Sequence, residues 1–174
     1  MKWKDLLKVE MEYAYTVTEN LMKMVRESDL EWKPAETNNW MTTAQLLQHI
    51  TESCGLCFKG FITGEWDMPE GMEPPDPDSE EMLPPAEKMT AVESVEKAIK
   101  KLAADREVAR EMLAGVSEED LENKDAPAPW DPSDMKLGHR LLGMVMHLNS
   151  HKSQLFYYLK LQGKPVHTGH LWGI

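Results

Sequence analysis

The sequence has no apolar run that approaches the roughly 20 residues of a membrane-spanning helix, so we expect no transmembrane segment. It also lacks the apolar core of a secretion signal, because Asp5, Glu10 and Glu12 interrupt the N-terminal stretch MKWKDLLKVEMEY. Both absences point away from insertion into a membrane and from secretion. We therefore expect a cytoplasmic protein.

Cysteine and basic residues are scarce as well. The two cysteines, Cys54 and Cys57, are too few for the disulfide framework of a small secreted domain. Nineteen Lys and Arg residues against thirty Asp and Glu residues leave a formal net charge of −11. A charge of this sign repels phosphate backbones and anionic lipid headgroups. We therefore expect neither a nucleic-acid partner nor a membrane surface as partner.

What the sequence does contain is helical periodicity. Strand-like alternation is missing, and four stretches repeat apolar residues at the i, i+3/i+4, i+7 spacing of an amphipathic helix. The predicted helices 1 to 4 span about 4–27, 42–62, 87–114 and 134–162. With 174 residues, a single domain over 1–174 is long enough to bury a core. The pattern predicts an all-α four-helix bundle.

The connector between predicted helices 2 and 3, residues 64–86, differs in composition from the rest of the chain. It contains six of the eleven prolines and eight acidic residues, and it has no Lys or Arg. This composition predicts a loop, held down by Trp66, that is longer than ordinary connections. We expect it to lie over the surface or to cross the bundle, as a solvated connection or as a lid. Such a long central crossover permits helices 2 and 3 to pack in parallel or diagonally.

Predicted helix 4 carries two histidines, His147 and His151, one helical turn apart. Positions four apart differ by only about 40° around a helix, so both imidazoles project together at the apolar stripe. Burying an unpartnered polar group costs about 1–3 kcal/mol. A divalent metal ion bound by both rings would remove this cost, and the helical HExxH zinc motif uses the same spacing. Position 148 is Leu where that motif has its catalytic Glu, which excludes the corresponding protease chemistry.

His49 is the best candidate for a third ligand. It lies between Leu46 and Ile50 at the edge of the inward face of helix 2, so it meets the helix 4 pair if these two helices are neighbours. Three His ligands with open coordination positions describe a reactive site, and imidazole suits zinc, nickel or ferrous iron. The alternative is that the histidines are hydrogen-bonded core residues without a metal.

Cys54 and Cys57 form a CxxC pair, which by itself is compatible with redox chemistry or zinc binding. Both fall on the apolar stripe about three turns inside predicted helix 2, away from the helix N-terminus that lowers the pKa of a thiol. We expect them to pack as small hydrophobic residues. Redox chemistry is the weaker hypothesis.

Other polar and aromatic residues are weaker site candidates. His139, two turns before the histidine pair, is expected in solvent rather than at the mouth of the site. Arg106 is expected to extend its charge towards solvent rather than to bind an anionic substrate. Trp40 and Trp130 lie at loop-to-helix junctions and are candidates for the rim of a pocket. The C-terminal tail is expected to be irregular.

Two stretches of the sequence resemble the DinB-like (DinB/YfiT-type) family of metalloenzymes. WKPAETNNWMTTAQLLQHI, residues 32–50, is similar to the family's connector into helix 2 with its histidine. MVMHLNSHKSQLFYYLKLQGKPV, residues 144–166, is similar to the family's HxxxH helix, continued by Gln154 and a Gly-x-Pro exit. The resemblance extends over most of the chain in helix lengths and in the long central crossover.

This resemblance implies an up-down-down-up bundle in which His49, His147 and His151 hold a divalent metal, zinc or nickel before iron. Relatives of this kind are thiol transferases or isomerases that use a low-molecular-weight thiol such as bacillithiol or mycothiol, and homodimers are common among them. The resemblance implies a small electrophilic substrate attacked by a metal-bound thiolate, whereas metal-activated water would support hydrolysis. The alternative is a non-catalytic bundle that binds a metal or a small molecule in a structural or sensor role.

Overall fold

The computed structural model describes residues 2–37, 39–66 and 85–174, and within these ranges the protein is all-α, as predicted. The α-helices are α1 (Trp3–Met22), α2 (Thr43–Ile50), α3 (Gly55–Thr63), α4 (Val95–Gly115), α5 (Glu118–Asn123), α6 (Leu137–Leu161) and α7 (Thr168–Trp172). Short 3-10 turns at Glu27–Asp29 and Ala86–Lys88 precede α2 and α4. No described residue lies in a β-strand.

The longer helices enclose a single hydrophobic core. α1 and α3 each pack against both α4 and α6, and α2 contacts α6 and α4. Predicted helices 2 and 4 are therefore neighbours, which is the condition for His49 to meet the helix 4 histidines. The inward faces share the buried residues Leu7, Leu21, Ile50, Phe58, Leu102, Leu148 and Leu155. Among the described helices, none is long and apolar enough to cross a membrane.

The structure corrects the prediction of one continuous helix over 42–62. A break at residues 51–54 separates α2 from α3. The hydroxyls of Thr51 and Ser53 donate to backbone carbonyls of the last turn of α2, at 2.7 and 2.9 Å. Such local side-chain bonds compete with the continuing helix. The break directly follows the turn that carries His49.

Asp105 of α4 holds the start of α3. Its buried carboxylate accepts hydrogen bonds from the backbone N–H groups of Gly55 and Leu56, each at 2.9 Å, and from the Tyr15 hydroxyl at 2.6 Å. A Cβ on Gly55 would lie 2.0 Å from the backbone oxygen of Asp105, so the close approach of α3 to α4 requires glycine there. Asp105 thus provides the hydrogen-bond acceptors for the first N–H groups of α3, although it lies on a helix distant in sequence.

Two further helix boundaries differ from the prediction. α1 ends at Met22 rather than near residue 27, and the Glu27 carboxylate instead accepts the backbone N–H of Val95 at 3.0 Å. α4 begins at Val95 rather than near residue 87, because the Ser94 side chain caps its first turn. The two changes are connected, since Glu27 and Ser94 bind the same end of α4.

α6 begins at Leu137 rather than near residue 134, because Arg140 organises the loop before it. The buried guanidinium donates to the backbone carbonyls of Ala126, Asp131 and Ser133 and forms an ion pair with the Asp131 carboxylate at 2.7 Å. Ser133 is thereby held in the loop rather than in the helix.

Three helix ends follow directly from the residue type found there. The Ser117 side chain caps α5 by accepting the backbone N–H of Asp120 at 3.0 Å. Gly64 and Gly163, which follow α3 and α6, have positive φ values of 79° and 74°, which favour glycine.

The tail is more regular than predicted, since it contains α7. The buried Lys152 ammonium donates to the backbone carbonyl of Leu171 at 3.0 Å and lies over the rings of Tyr13 and Trp172, 5.5 and 5.6 Å from their centroids. These contacts dock the tail onto α1 and α6. The amphipathic pattern does not predict the contacts of Lys152 with the tail, because it marks only apolar residues as buried.

Most of the predicted 64–86 loop, residues 67–84, lies outside the described residues, and so do the predictions of a surface course or a lid. At its start, Trp66 packs edge-to-face against Phe61 and Trp130, with ring centroids 4.8 and 5.1 Å apart. A Cβ on Gly60 would lie 2.4 Å from the Trp66 ring, so glycine makes room for this contact. Trp66 therefore fixes the beginning of the loop, as predicted.

Candidate metal centre

Three imidazoles converge where α2 meets α6. The Nε2 atom of His151 lies 2.8 Å from Nε2 of His147 and 3.1 Å from Nε2 of His49. Candidate ligand atoms of all three residues lie within 4.8 Å of one another, so the group could hold a metal ion. The structure thus brings together the three histidines that the sequence analysis selected.

Helix geometry explains this convergence. His147 and His151 stand one turn apart on α6 beside Leu148, which is fully buried and marks the inward face. His49 lies in the last turn of α2, next to the fully buried Ile50. All three imidazoles are half-buried, so they are drawn towards the core but keep contact with solvent.

Neighbouring groups orient two of the three rings. Nδ1 of His151 lies 2.8 Å from Oε1 of Gln154, one turn further along α6. The His147 ring hydrogen-bonds the backbone of Ser53, in the break between α2 and α3. Because this bond raises the pKa of His147, the ring is the donor. Metal-binding histidines are commonly oriented by such bonds from the ring nitrogen that does not bind the metal.

The pKa of each imidazole lies below its ordinary value. Burial is the main cause for His49, and the neighbouring His151 and His147 add to it, so that the pKa of His49 falls to about 3. Burial also lowers the pKa of His147 and of His151, partly offset by their hydrogen bonds to Ser53 and Gln154. Neutral imidazole is the form that coordinates metals. At pH 7 all three rings are in that form.

The chemistry of this donor set fits a cation. With its Nδ1–H donated to Gln154, a neutral His151 ring has only a lone pair at Nε2, and this atom faces Nε2 of both other rings. Nitrogen lone pairs at such distances repel one another unless a proton or a metal ion lies between them. Three imidazole nitrogens suit zinc, nickel or ferrous iron.

The structure places Cys54 and Cys57 in a different environment from the predicted one. Because α3 starts at Gly55, Cys54 is at its N-cap position and Cys57 in its first turn, not deep inside a helix as predicted. The Asp105 carboxylate occupies that N-terminus and, after burial, is the second cause that raises the pKa of both thiols, to about 12 for Cys57. Both cysteines are free. The expectation that they pack as hydrophobic residues agrees with this environment.

His139, Arg106 and Trp130, three of the weaker site candidates, contact residues other than the three histidines. The His139 ring packs edge-to-face on Trp3, with centroids 5.1 Å apart. Arg106 does not extend into solvent as predicted, since it forms an ion pair with Glu12. Trp130 stacks in the aromatic group with Trp66 and is 40% exposed. The prediction that Trp130 and Trp40 line the rim of a pocket stays a prediction.

The sequence patterns assign no role to Gln154 or Ser53, which contact His151 and His147. Gln154 follows His151 by three residues on the same helix face, so its position could have indicated a contact. The hydrogen bond that His147 donates to the Ser53 backbone depends on the break in predicted helix 2, after which Asp105 binds the first N–H groups of α3. Only the tertiary structure reveals these two contributions.

A family model described as the DinB superfamily matches residues 10–155, which is well over half of the chain and includes all three histidines. No curated protein and no solved structure matches the chain.

Proposed function

This chain belongs to the DinB superfamily, and from that premise we propose that His49, His147 and His151 bind a divalent metal ion. The observation that carries the proposal is the convergence of the three Nε2 atoms, at 2.8 and 3.1 Å from the central one. The all-nitrogen donor set favours zinc or nickel, with iron as the third choice. The lowered pKa values support the proposal, because protons do not compete for these nitrogens at pH 7.

We propose further that the protein transfers a low-molecular-weight thiol to a small electrophilic substrate, or catalyses a closely related reaction. A divalent ion, when bound, lowers the pKa of a coordinated thiol or water. The chain's own residues would hold the ion with three ligands, fewer than the four of a closed structural zinc site. Gln154 and the Ser53 backbone would orient two of these ligands, and the half-buried position would leave the site accessible to a small molecule.

Metal content tests the first part of this proposal. Protein purified without an affinity tag is expected to carry about one equivalent of zinc or nickel, measured by elemental analysis, because the described residues contain one such three-histidine group. His147→Ala should lose this metal, and His139→Ala, which alters a histidine that packs on Trp3, should retain it. Equal trace metal in the wild type and in His147→Ala would contradict the proposed site.

Thiol conjugation tests the second part. The metal-loaded protein is expected to accelerate the reaction of a low-molecular-weight thiol, such as bacillithiol or mycothiol, with a generic electrophile. A chelator and His147→Ala should both abolish the acceleration, whereas Cys54→Ser should not. Loss of activity in Cys54→Ser with metal retained would instead favour redox chemistry at the CxxC pair.

A non-catalytic role for the metal is the second candidate function. The candidate ligands lie on two helices, and His49 and His151 are 102 positions apart in sequence. A metal there would join distant parts of the chain and so stabilise a binder or sensor. In that case removing the metal lowers the melting temperature, and no combination of thiol and electrophile shows metal-dependent turnover.

We also propose the topology, assembly and location that accompany this function. The packing of α1 and α3 on both α4 and α6 supports an up-down-down-up four-helix bundle, in which α2 and α3 together form the second helix. The net charge of −11 supports a protein without nucleic-acid or membrane partners. A cytoplasmic homodimer that acts on a small molecule is the assembly we propose, and light scattering coupled to gel filtration tests the dimer.

A further inference from the structure

The outward side of α6 carries three large apolar side chains that are exposed. Met146, Tyr157 and Leu161 are 61%, 58% and 66% exposed, although the opposite side of the same helix lies in the core. Tyr157 follows Met146 by about three helical turns, and Leu161 follows Tyr157 by about one turn, so all three project on one side. With the residues that share this side, they form what we call the outer face of α6: Leu142, Met146, Ser150, Ser153, Tyr157 and Leu161.

The charge of α6 sets it apart from the other long helices. It contains no Asp or Glu, whereas α1 and α4 each contain four acidic residues. Lys160, an exposed cation beside the outer face, lies over the ring of Phe156, 5.6 Å from its centroid. Two copies of a chain with a net charge of −11 repel each other wherever their acidic surfaces approach. The outer face of α6 allows two copies to meet without bringing carboxylates together.

The outer face of α6 is also symmetric about its midpoint, which lies between residues 151 and 152. If two copies of α6 pair in antiparallel about a twofold axis at this point, residues equally far from it on either side face one another. The facing pairs are then Leu142 with Leu161, Met146 with Tyr157, and Ser150 with Ser153. Large apolar side chains meet large ones, and small side chains meet small ones. A twofold interface requires this kind of self-complementarity.

The two central serines can be buried at low cost. The Ser150 hydroxyl donates to the backbone carbonyl of Met146 at 2.8 Å, and the Ser153 hydroxyl donates to that of Asn149 at 3.0 Å. Because α6 itself satisfies both donors, burial in an interface leaves neither hydroxyl proton unpaired. The small side chains also permit a close approach of two helices at the centre of the face.

We propose that the outer face of α6 is the surface through which two copies of this chain pair, with their α6 helices antiparallel. The inference rests on the homodimer of the proposed function and adds the surface that forms it. His147 and His151 project from a different side of α6, towards His49 on α2. The pairing therefore leaves one candidate metal centre within each copy.

Sedimentation velocity of the untagged full chain over a range of concentrations tests this interface. A single helix pair is small for a protein interface, so we expect a reversible dimer that dissociates on dilution. Met146→Glu places a carboxylate against the apolar Tyr157 side chain of the second copy and should weaken association about tenfold or more. Val9→Glu is the matched control, because it adds the same charge to α1 at a residue that is 65% exposed. It should associate as the wild type does.

The double variant Met146→Glu/Tyr157→Lys tests the antiparallel register. Tyr157→Lys alone should also weaken association, because it places an ammonium against Met146 of the second copy. In the double variant each new carboxylate faces a new ammonium, so its association should be tighter than that of either single variant. A parallel pair would instead bring like charges together. A double variant that associates no better than Met146→Glu would contradict the proposed pairing.

Two other outcomes overturn the proposal. A wild type that stays monomeric at every concentration contradicts both the homodimer and its interface, and leaves the outer face of α6 to a different partner. A dimer that Met146→Glu does not weaken contradicts the interface alone. Zinc content measured on the same samples separates this inference from the metal site, since a dimer that responds as expected but binds no zinc contradicts only the metal proposal. Circular dichroism checks that each variant is folded, as expected for substitutions of exposed side chains.

Discussion

His151 is the central residue of the candidate metal centre. Its Nε2 is the atom close to both other rings, and its Nδ1 contacts Gln154. His49 and His147 both approach this one atom, so the orientation of His151 determines whether all three rings can share one ion. We therefore regard Gln154, which contacts Nδ1 of His151, as important for the site as a whole.

A second residue-scale feature is Glu12 of α1, which pairs with Arg110 and Arg106 of α4. Hydrogen bonds from Arg110 and then Arg106 lower the pKa of Glu12 from about 4.5 to about 2. A carboxyl whose pKa is lowered in the folded state stabilises the protein above its unfolded pKa, and this contribution is lost as the pH falls through the folded pKa. The Glu12 contribution should therefore be present above about pH 4.5 and disappear towards pH 2.

Glu12→Gln tests this pH dependence. We expect the variant to be less stable than the wild type at pH 7 by about 0.5–1 kcal/mol, a value reduced for the solvent exposure of these side chains. The two free energies of unfolding, measured with urea, should converge between pH 4.5 and pH 2. Glu111→Gln removes an equal charge from α4 as the control. A difference between Glu12→Gln and the wild type that does not change with pH would contradict this account.

At the scale of elements, the interruption between α2 and α3 is held by packing against α4. Asp105 binds the first N–H groups of α3, and Gly55 allows the two backbones to approach. The interruption in turn presents the Ser53 backbone to His147. The α3–α4 contact therefore contributes to the orientation of a candidate ligand on α6.

Glycine-to-alanine substitutions test the packing of α3 on α4. Gly55→Ala places a Cβ 2.0 Å from the Asp105 backbone oxygen, so we expect a loss of about 1–3 kcal/mol or more in the free energy of unfolding. Gly143→Ala on α6 adds a Cβ that meets no atom within 4 Å and should stabilise the helix by up to about 1 kcal/mol. Urea unfolding curves measure both effects. Equal effects of the two substitutions would show that the close approach of α3 to α4 does not require glycine at position 55.

At the scale of the whole molecule, metal binding should be visible as thermal stability. A ligand at 100 times its dissociation constant stabilises the folded state by about 2.7 kcal/mol. For a chain of this size that corresponds to a rise of about 5–10 °C in the melting temperature. We expect zinc to produce this rise in the wild type and in His139→Ala, and to produce none in His49→Ala, measured by calorimetry. A rise of the same size in His49→Ala would place the bound zinc elsewhere.

Sequence patterns predicted much of this architecture, and the exceptions have a common physical cause. The three histidines were identifiable because helical spacing placed them at the apolar stripes of two helices. The glycine stops at Gly64 and Gly163 were identifiable because positive φ is a local property. By contrast, the break before Gly55 and the docking of the tail by Lys152 depend on polar contacts between elements distant in sequence. Periodicity carries no information about such contacts.

The distance in sequence between His49 and His151 has a consequence for the unfolded chain. The two residues are 102 positions apart, and the two cysteines of the protein are free. On the proposed function, a metal ion held by both would act as a reversible cross-link that closes a loop of about this length. By chain-entropy arguments, a covalent cross-link that closes a 100-residue loop stabilises the folded state by about 4.7 kcal/mol. The metal would thus stabilise the fold as a disulfide does in other small proteins. Its contribution to the free energy of unfolding would increase with the free metal concentration.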